Sequence, residues 1–177
     1  MDRIGVVGCG LMGSGIAEIA ARAGADVVVI ERDAESLASG QARIERSLSR
    51  AVSAGKMPDD EANAARGNLT FSEDFERLAN RQMVIEAVAE DEGSKVAVFK
   101  KLDAVVTDRQ AILATNTSSI PIIKLAVATS RPEQVIGMHF FNPVPVLRLV
   151  EVISSLLTSE IAMPDAPARA VRPMRCT

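Results

Sequence analysis

Short apolar runs alternate with segments of helical periodicity along most of the chain. The runs cover residues 4–7, 27–30, 83–88, 111–114 and 135–140. Apolar strands separated by helices are typical of a parallel sheet whose two faces are both covered. The pattern therefore predicts an α/β fold with a doubly wound, mostly parallel sheet.

The segment between the second and third predicted strands is longer than a simple crossover needs. Apolar residues recur on one helical stripe, namely Leu37, Ile44, Leu48 and Val52. They predict a long helix that begins after Asp33 as N-cap and ends at Gly55. A second short helix is predicted over 59–66, before a strand at 69–71. This helical excursion either covers the sheet or holds part of a substrate.

Three glycines follow the first apolar run and precede a helical pattern. Gly8 permits a tight turn, Gly10 lets the backbone approach a pyrophosphate, and Gly13 allows close packing of helix on strand. Leu11 and Met12 open the helix, where free N–H groups favour anions. The arrangement favours a Rossmann-type dinucleotide-binding domain over an ordinary turn before a helix.

The second apolar run ends in Glu31, 18 residues after Gly13. This spacing is where the acid that binds the adenosine ribose belongs. Its carboxylate can accept hydrogen bonds from both ribose hydroxyls and would repel a 2′-phosphate. Glu31 therefore favours NAD over NADP as cofactor. The neighbouring Arg32 weakens this distinction and leaves NADP open.

His139, the only histidine of the chain, lies at the end of the predicted strand 135–140. A proline-rich stretch and a further apolar run, 147–153, follow it. If the chain folds back about Pro145, His139 faces Glu151. The carboxylate would orient the imidazole, whose other nitrogen could take a proton from a substrate hydroxyl. The alternatives are a structural histidine and an edge-strand charge that discourages aggregation.

Polar residues Asn116, Thr117, Ser118 and Ser119 follow the run 111–114. Because they come at the carboxyl end of a predicted strand, their amide and hydroxyl groups can bind a substrate oxygen. The alternative is a helix cap before Pro121, which we expect for at least one of the two serines.

Composition and charge exclude several classes of protein. The formal net charge is −3 and the basic residues are scattered, so we expect no nucleic-acid partner. No apolar stretch approaches the ~20 residues of a membrane span. The two cysteines, Cys9 and Cys176, have neither metal-ligand nor disulfide-framework spacing, which predicts no metal site and a cytoplasmic location. We interpret Cys9 as a packing residue.

Three motifs together resemble the 3-hydroxyacyl-CoA dehydrogenase family. They are GCGLMGSGIA at 8–17, NTSS at 116–119 and HFFNPVPVLRLVEVI at 139–153, of which the last is the most specific. The resemblance covers residues 1 to about 160. It implies an enzyme of fatty-acid or butanoate metabolism that transfers a hydride between NAD and the 3-hydroxy group of a short-chain 3-hydroxyacyl-CoA, such as 3-hydroxybutyryl-CoA.

The resemblance also assigns catalytic roles to individual residues. It implies that His139 is the general base, that Glu151 orients it, and that Ser118 contacts the substrate. His139 and Glu151 lie in the motif HFFNPVPVLRLVEVI, and Ser118 is the first serine of NTSS.

Further family positions concern the cofactor and the acyl-CoA. Glu90, Lys95 and Asn142 match positions near the nicotinamide ribose; for Glu90 and Lys95, a solvated turn and a helix face are the alternatives. Ser47 matches a contact to acyl-CoA. The lysine that follows it in the family is not clearly matched, and Lys56, the next lysine along the chain, is the candidate for that position.

The resemblance implies further segments that have no counterpart in the chain. Relatives continue with a last Rossmann segment bearing a catalytic Asn and with an all-helical domain that closes the active site and forms the dimer. We therefore expect an incomplete NAD-binding domain over 1–160 and a disordered tail over 161–177, which lacks apolar periodicity. A truncated or frame-shifted coding sequence is our hypothesis for this end, and a clean downstream stop codon with no alternative frame would refute it.

Two other functions remain open. The catalytic Asn of the relatives would supply an oxyanion donor, and removing one such donor typically costs about 10² to 10³ in rate. A non-catalytic NAD-binding remnant is therefore one alternative. Another Rossmann reductase acting on a free hydroxy acid is the second. Turnover of acetoacetyl-CoA with NADH separates the enzyme from the remnant, and the effect of His139→Ala on turnover tests the second alternative.

Overall fold

The computed structural model describes residues 1–147, 149–159 and 162. Seven strands of the described chain form one sheet. They are β1 (Arg3–Val7), β2 (Asp26–Ile30), β3 (Leu69–Ser72), β4 (Met83–Glu86), β5 (Ile112–Thr115), β6 (Val135–Phe140) and β7 (Val150–Ser154). Their order is β3–β2–β1–β4–β5–β6–β7. Neighbouring strands are parallel, except that β6 and β7 are antiparallel.

Helices cover both faces of this sheet. They are α1 (Leu11–Arg22), α2 (Ala34–Ser53), α3 (Asp59–Gly67), α4 (Glu92–Val105) and α5 (Ile122–Ala126). Successive strand residues alternate between the two cores: Val27 and Val29 pack with α1, α2 and α3, whereas Val28 and Ile30 pack with α4 and α5. Fully apolar strands are expected where a parallel sheet is covered on both faces. The predicted doubly wound, Rossmann-type α/β fold is confirmed.

The helical excursion after β2 forms as predicted. Asp33 caps α2 by accepting a hydrogen bond from the Ser36 N–H at 2.7 Å. Gly55 follows the helix with a φ of +65°, a left-handed conformation that glycine adopts without strain. Ala62 and Ala65 of α3 are buried in the core that α1 and α2 share. The excursion thus packs on α1 and meets the sheet at β3, and its part in holding a substrate stays a prediction.

Some expectations change in the structure. Pro121 precedes α5 and no side chain caps this helix, so neither Ser118 nor Ser119 is its cap. The last strand is shorter than its apolar run and begins at Val150. The predicted disorder of 161–177 lies outside the described residues except at Ala162, which is buried. Among the described residues, none of the helices has the length and apolar character that crossing a membrane requires.

Candidate active site

The glycine loop between β1 and α1 leaves room for a phosphate. Gly8 has a φ of +91°, and a Cβ on Gly13 would lie 1.8 Å from the Gly8 carbonyl oxygen, so both positions require glycine. A Cβ on Gly10 would meet nothing within 4 Å. Gly10 caps α1 without a side-chain hydrogen bond, which leaves the N–H groups of Leu11 and Met12 open to an anion. This loop fits the pyrophosphate of a dinucleotide.

Glu31 lies beside the glycine loop at the end of β2. Its Oε1 accepts the Cys9 N–H at 2.6 Å and its Oε2 accepts the Arg32 N–H at 3.1 Å. The Arg32 guanidinium is mostly exposed and donates to Asp33 at 2.9 Å. The backbone therefore holds the Glu31 carboxylate where the acid that binds the ribose is expected. Asp33 partly neutralises the positive charge of Arg32, which had left NADP open as a cofactor.

A cavity of about 320 Å³ adjoins this acid between the glycine loop and α2. It is lined by Gly10, Glu31, Arg32, Asp33, Glu35, Ser36, Ser39 and Arg43. Arg43 donates from Nη1 to the Cys9 carbonyl oxygen at 3.1 Å, and so ties α2 to the loop. Gly40 makes this close approach possible, because a Cβ there would lie 2.5 Å from the Cys9 sulfur.

A larger cleft of about 560 Å³ opens at the carboxyl ends of β1, β4, β5 and β6. It is lined by Gly10, Leu11, Met12, Ala87, Val88, Ala89, Glu90, Asn116, Thr117, Ser118, His139, Phe140, Phe141 and Asn142. Ligands of open α/β sheets bind at this edge. The cleft brings together Gly10, Leu11, Met12, Glu90, Ser118, His139 and Asn142 of the predicted site residues, from four separate stretches of the chain.

His139 and Glu151 form the predicted pair. They are directly opposed in the β6–β7 ladder, and His139 Nδ1 lies 2.8 Å from Glu151 Oε2. Because an ionised carboxylate only accepts hydrogen bonds, Nδ1 carries the proton in the neutral imidazole and Nε2 is the basic nitrogen. The Phe141 ring packs against the imidazole at a centroid distance of 4.8 Å. The pairing inferred from the reversal about Pro145 is confirmed, and its catalytic role stays a prediction.

Glu90 accepts several hydrogen bonds from the turn that follows β5. Its Oε1 accepts the Ser118 N–H at 3.1 Å, the Ser119 N–H at 3.3 Å, and hydrogen bonds from the Thr117 and Ser119 hydroxyls. Burial alone would raise the pKa of Glu90. The Thr117 and Ser118 hydrogen bonds and the nearby Lys95 charge outweigh it and lower that pKa to about 2. Glu90 is exposed, as the alternative of a solvated turn expects, but its ionised carboxylate also anchors the 117–119 turn.

Lys95 lies behind this turn and has no exposed side-chain surface. Its Nζ contacts Glu86 at 2.7 Å, Glu90 at 3.4 Å and the Asn116 carbonyl oxygen at 3.4 Å. The alternative of a solvated helix face is wrong for Lys95. Nor does its placement support direct contact with a cofactor, because a buried ammonium with three oxygen partners acts on the cleft only through those partners.

Glu86 and Thr115 are parts of the site that the sequence analysis did not identify. Glu86 is fully buried at the end of β4 and accepts hydrogen bonds from Lys95, from the Val88 N–H at 2.7 Å and from the Thr115 hydroxyl at 2.6 Å. The available signal was a charged residue inside the apolar run 83–88. A buried carboxylate needs partners, and these lie on different elements.

Ser47 and Lys56 do not line either cavity. Ser47 is half-buried on α2, and Lys56 is exposed after that helix. Their contacts to acyl-CoA stay predictions. Cys9 is buried, and burial together with the Glu31 charge raises the pKa of its thiol to about 12, so the interpretation of Cys9 as a packing residue agrees with the structure.

Comparison with known proteins gives consistent matches. The family description "3-hydroxyacyl-CoA dehydrogenase, NAD binding domain" matches residues 3–171. The chain is 56% identical to a 3-hydroxybutyryl-CoA dehydrogenase of Mycobacterium tuberculosis over 92% of its own length, and 43% identical to a probable 3-hydroxybutyryl-CoA dehydrogenase of Bacillus subtilis over 96%. The crystal structure of M. tuberculosis FadB2 superimposes with a TM-score of 0.90, at 56% identity over 92% of this chain and 57% of that one.

The match is confined to part of each relative. The chain spans 57% of the M. tuberculosis enzyme and 59% of the B. subtilis protein. The matched part contains the glycine loop, the cleft and the His139–Glu151 pair. The chain therefore belongs to the 3-hydroxyacyl-CoA dehydrogenase family and corresponds to its NAD-binding domain.

Proposed function

We propose that the chain binds NAD along the glycine loop and the cleft, and catalyses the reversible oxidation of a short-chain 3-hydroxyacyl-CoA, such as 3-hydroxybutyryl-CoA, to the 3-oxo thioester. The observation that carries the proposal is the His139 imidazole, which Glu151 holds at 2.8 Å and which lines the same cleft as the glycine loop. The names of the relatives support the same substrate class.

His139 moves the proton in this reaction. Its Nε2 takes the proton of the 3-hydroxyl group, and Glu151 stabilises the resulting imidazolium through Nδ1. NAD, which the glycine loop and Glu31 would hold, would supply the acceptor for the hydride that leaves C3 with the electron pair of the C3–H bond. The C3–O bond becomes a carbonyl, so the alcohol loses one proton and one hydride.

Other residues position the two reactants. Glu90 accepts the Ser118 N–H, and Ser118 and Asn142 both line the cleft. We propose that the Ser118 hydroxyl contacts the substrate and that Asn142, two residues after β6, contacts the cofactor. Lys95 acts through Glu90. Ser47 and Lys56 would serve the nucleotide end of acyl-CoA.

The wider setting follows from this chemistry. We place the reaction in fatty-acid or butanoate metabolism and in the cytoplasm. Residues 1–160 act as the NAD-binding domain, and a dimer would require the part of the relatives that this chain does not span. Size-exclusion chromatography tests this, because a stable dimer of the present chain would refute it.

Turnover of acetoacetyl-CoA with NADH, followed by loss of NADH absorbance, tests the proposed function. Loss of the base should lower kcat by about 10² to 10⁴ in His139→Gln. Glu151→Gln should lower kcat as well, whereas Glu61→Gln, a control on the exposed first turn of α3, should not. NADH binding without any turnover by the unaltered chain would contradict the proposal and favour the non-catalytic remnant. Repeating the assay with NADPH tests the cofactor choice.

A further inference from the structure

Asn116 follows β5 and faces the cleft. Its Oδ1 accepts the Phe140 N–H at 3.2 Å. A main-chain N–H can only donate, so the oxygen of the amide must face Phe140 and its NH₂ group must point the other way. Among the described residues, Glu18 Oε2 is the one buried side-chain polar atom that lacks a hydrogen-bond partner. Asn116 Nδ2 has no partner among these residues either, so it is not buried. The NH₂ group therefore opens into the cleft that Asn116 lines.

Three elements hold Asn116 in this orientation. Its main-chain N–H donates to the Glu86 carbonyl oxygen at 2.7 Å, and its own carbonyl oxygen accepts Lys95 Nζ at 3.4 Å. Its side chain is fixed to β6 at Phe140, the residue after His139. A donor that is held before the ligand arrives costs no reorganisation during reaction. Asn116 is thus a fixed hydrogen-bond donor in the cleft that the His139 imidazole also lines.

We propose that Asn116 Nδ2 donates a hydrogen bond to the C3 oxygen of the substrate, the oxygen that exchanges its proton with His139. This inference rests on the proposed function. When the 3-oxo group is reduced, its oxygen gains negative charge before His139 returns the proton. A fixed N–H donor stabilises that charge more than it stabilises the neutral carbonyl. Asn116 would therefore contribute both to binding and to rate.

Asn116→Asp isolates the donor. The carboxylate has nearly the same shape and still accepts the Phe140 N–H, but it has no N–H to offer. Calorimetric titration in the presence of NAD⁺ would compare acetoacetyl-CoA with butyryl-CoA, which lacks the 3-oxygen. We expect Asn116→Asp to weaken acetoacetyl-CoA binding by about tenfold, as for a lost hydrogen bond of about 1.4 kcal/mol, and to leave butyryl-CoA and NADH within about twofold.

Two further variants control the experiment. Asn63→Asp, on the exposed side of α3, introduces the same charge far from the cleft and should change nothing. Asn116→Ser removes the amide without adding a charge, and covers the case in which Asn116→Asp does not fold. Its acetoacetyl-CoA binding should also fall while butyryl-CoA binding is retained.

Several outcomes would overturn the inference. Equal losses for acetoacetyl-CoA and butyryl-CoA would show that Asn116 only maintains the turn. A loss confined to NADH would assign its amide to the cofactor. If the unaltered chain turns over acetoacetyl-CoA and the Asn116 variants still bind acetoacetyl-CoA more tightly than butyryl-CoA to the same degree, the inference about Asn116 is wrong while the proposed function stands. If the unaltered chain does not distinguish the two thioesters, the proposed function fails with it.

Discussion

Lys95→Met should destabilise the fold strongly, because it leaves a buried carboxylate without its cation. Lys95 and Glu86 are both fully buried and lie 2.7 Å apart. Methionine fills a similar volume but cannot donate a hydrogen bond. Glu86 would keep the Val88 N–H and the Thr115 hydroxyl, which soften the loss but carry no positive charge.

The expected magnitude follows from the burial of both partners. Breaking a fully buried pair by removing one partner costs about 3–5 kcal/mol, and the two remaining hydrogen bonds place Lys95→Met near the lower end. This is a large part of a typical stability of about 5–15 kcal/mol. The free energy of unfolding, from urea titration followed by circular dichroism, measures it. The double variant Glu86→Gln/Lys95→Met should recover at least about 1 kcal/mol, since no charge remains buried there.

An exposed pair supplies the control. Lys124 and Glu92 lie 2.8 Å apart, but about half of each side chain is exposed. Lys124→Met should therefore cost less than about 1 kcal/mol. A loss of less than about 1 kcal/mol in Lys95→Met, or strict additivity of the two single changes in the double variant, would refute the reasoning.

Three further predictions concern other parts of the molecule. Gly13→Ala should weaken NADH binding by more than about tenfold in a fluorescence titration, because its Cβ would lie 1.8 Å from the Gly8 carbonyl oxygen; Gly67→Ala, whose Cβ meets nothing within 4 Å, is the control that should bind normally. Glu18→Gln should raise the melting temperature, and by more at about pH 8 than at about pH 5. Burial raises the pKa of Glu18, so its ionisation destabilises the folded chain as the pH rises above the unfolded value; an equal gain at both pH values would count against this. In a Cys176→Ser background, Cys9 should react with a thiol reagent only on unfolding, because burial raises the pKa of its thiol to about 12; rapid reaction of the native protein would contradict this.

The sequence by itself determined the features that depend on local order along the chain. These features are the strand and helix periods, the glycine loop and the cap at Asp33. Each depends on only a few neighbouring residues, so it can be recognised from the sequence without coordinates. The pairing of His139 with Glu151 was also predictable. A short reversal between two apolar runs sets the register of an antiparallel pair, and the register decides which side chains meet.

Only the tertiary structure decided how the cleft is held together. Glu86, Lys95 and Asn116 lie on β4, on α4 and after β5, and nothing in their spacing shows that the three meet. Burial also changes what each residue can do. Lys95 appeared in the sequence as a candidate for contact with the nicotinamide ribose or as part of a solvated helix face, and the fold makes it an internal cation. Such roles depend on which strand ends become neighbours and on how much water remains between them, and both are properties of the packed chain.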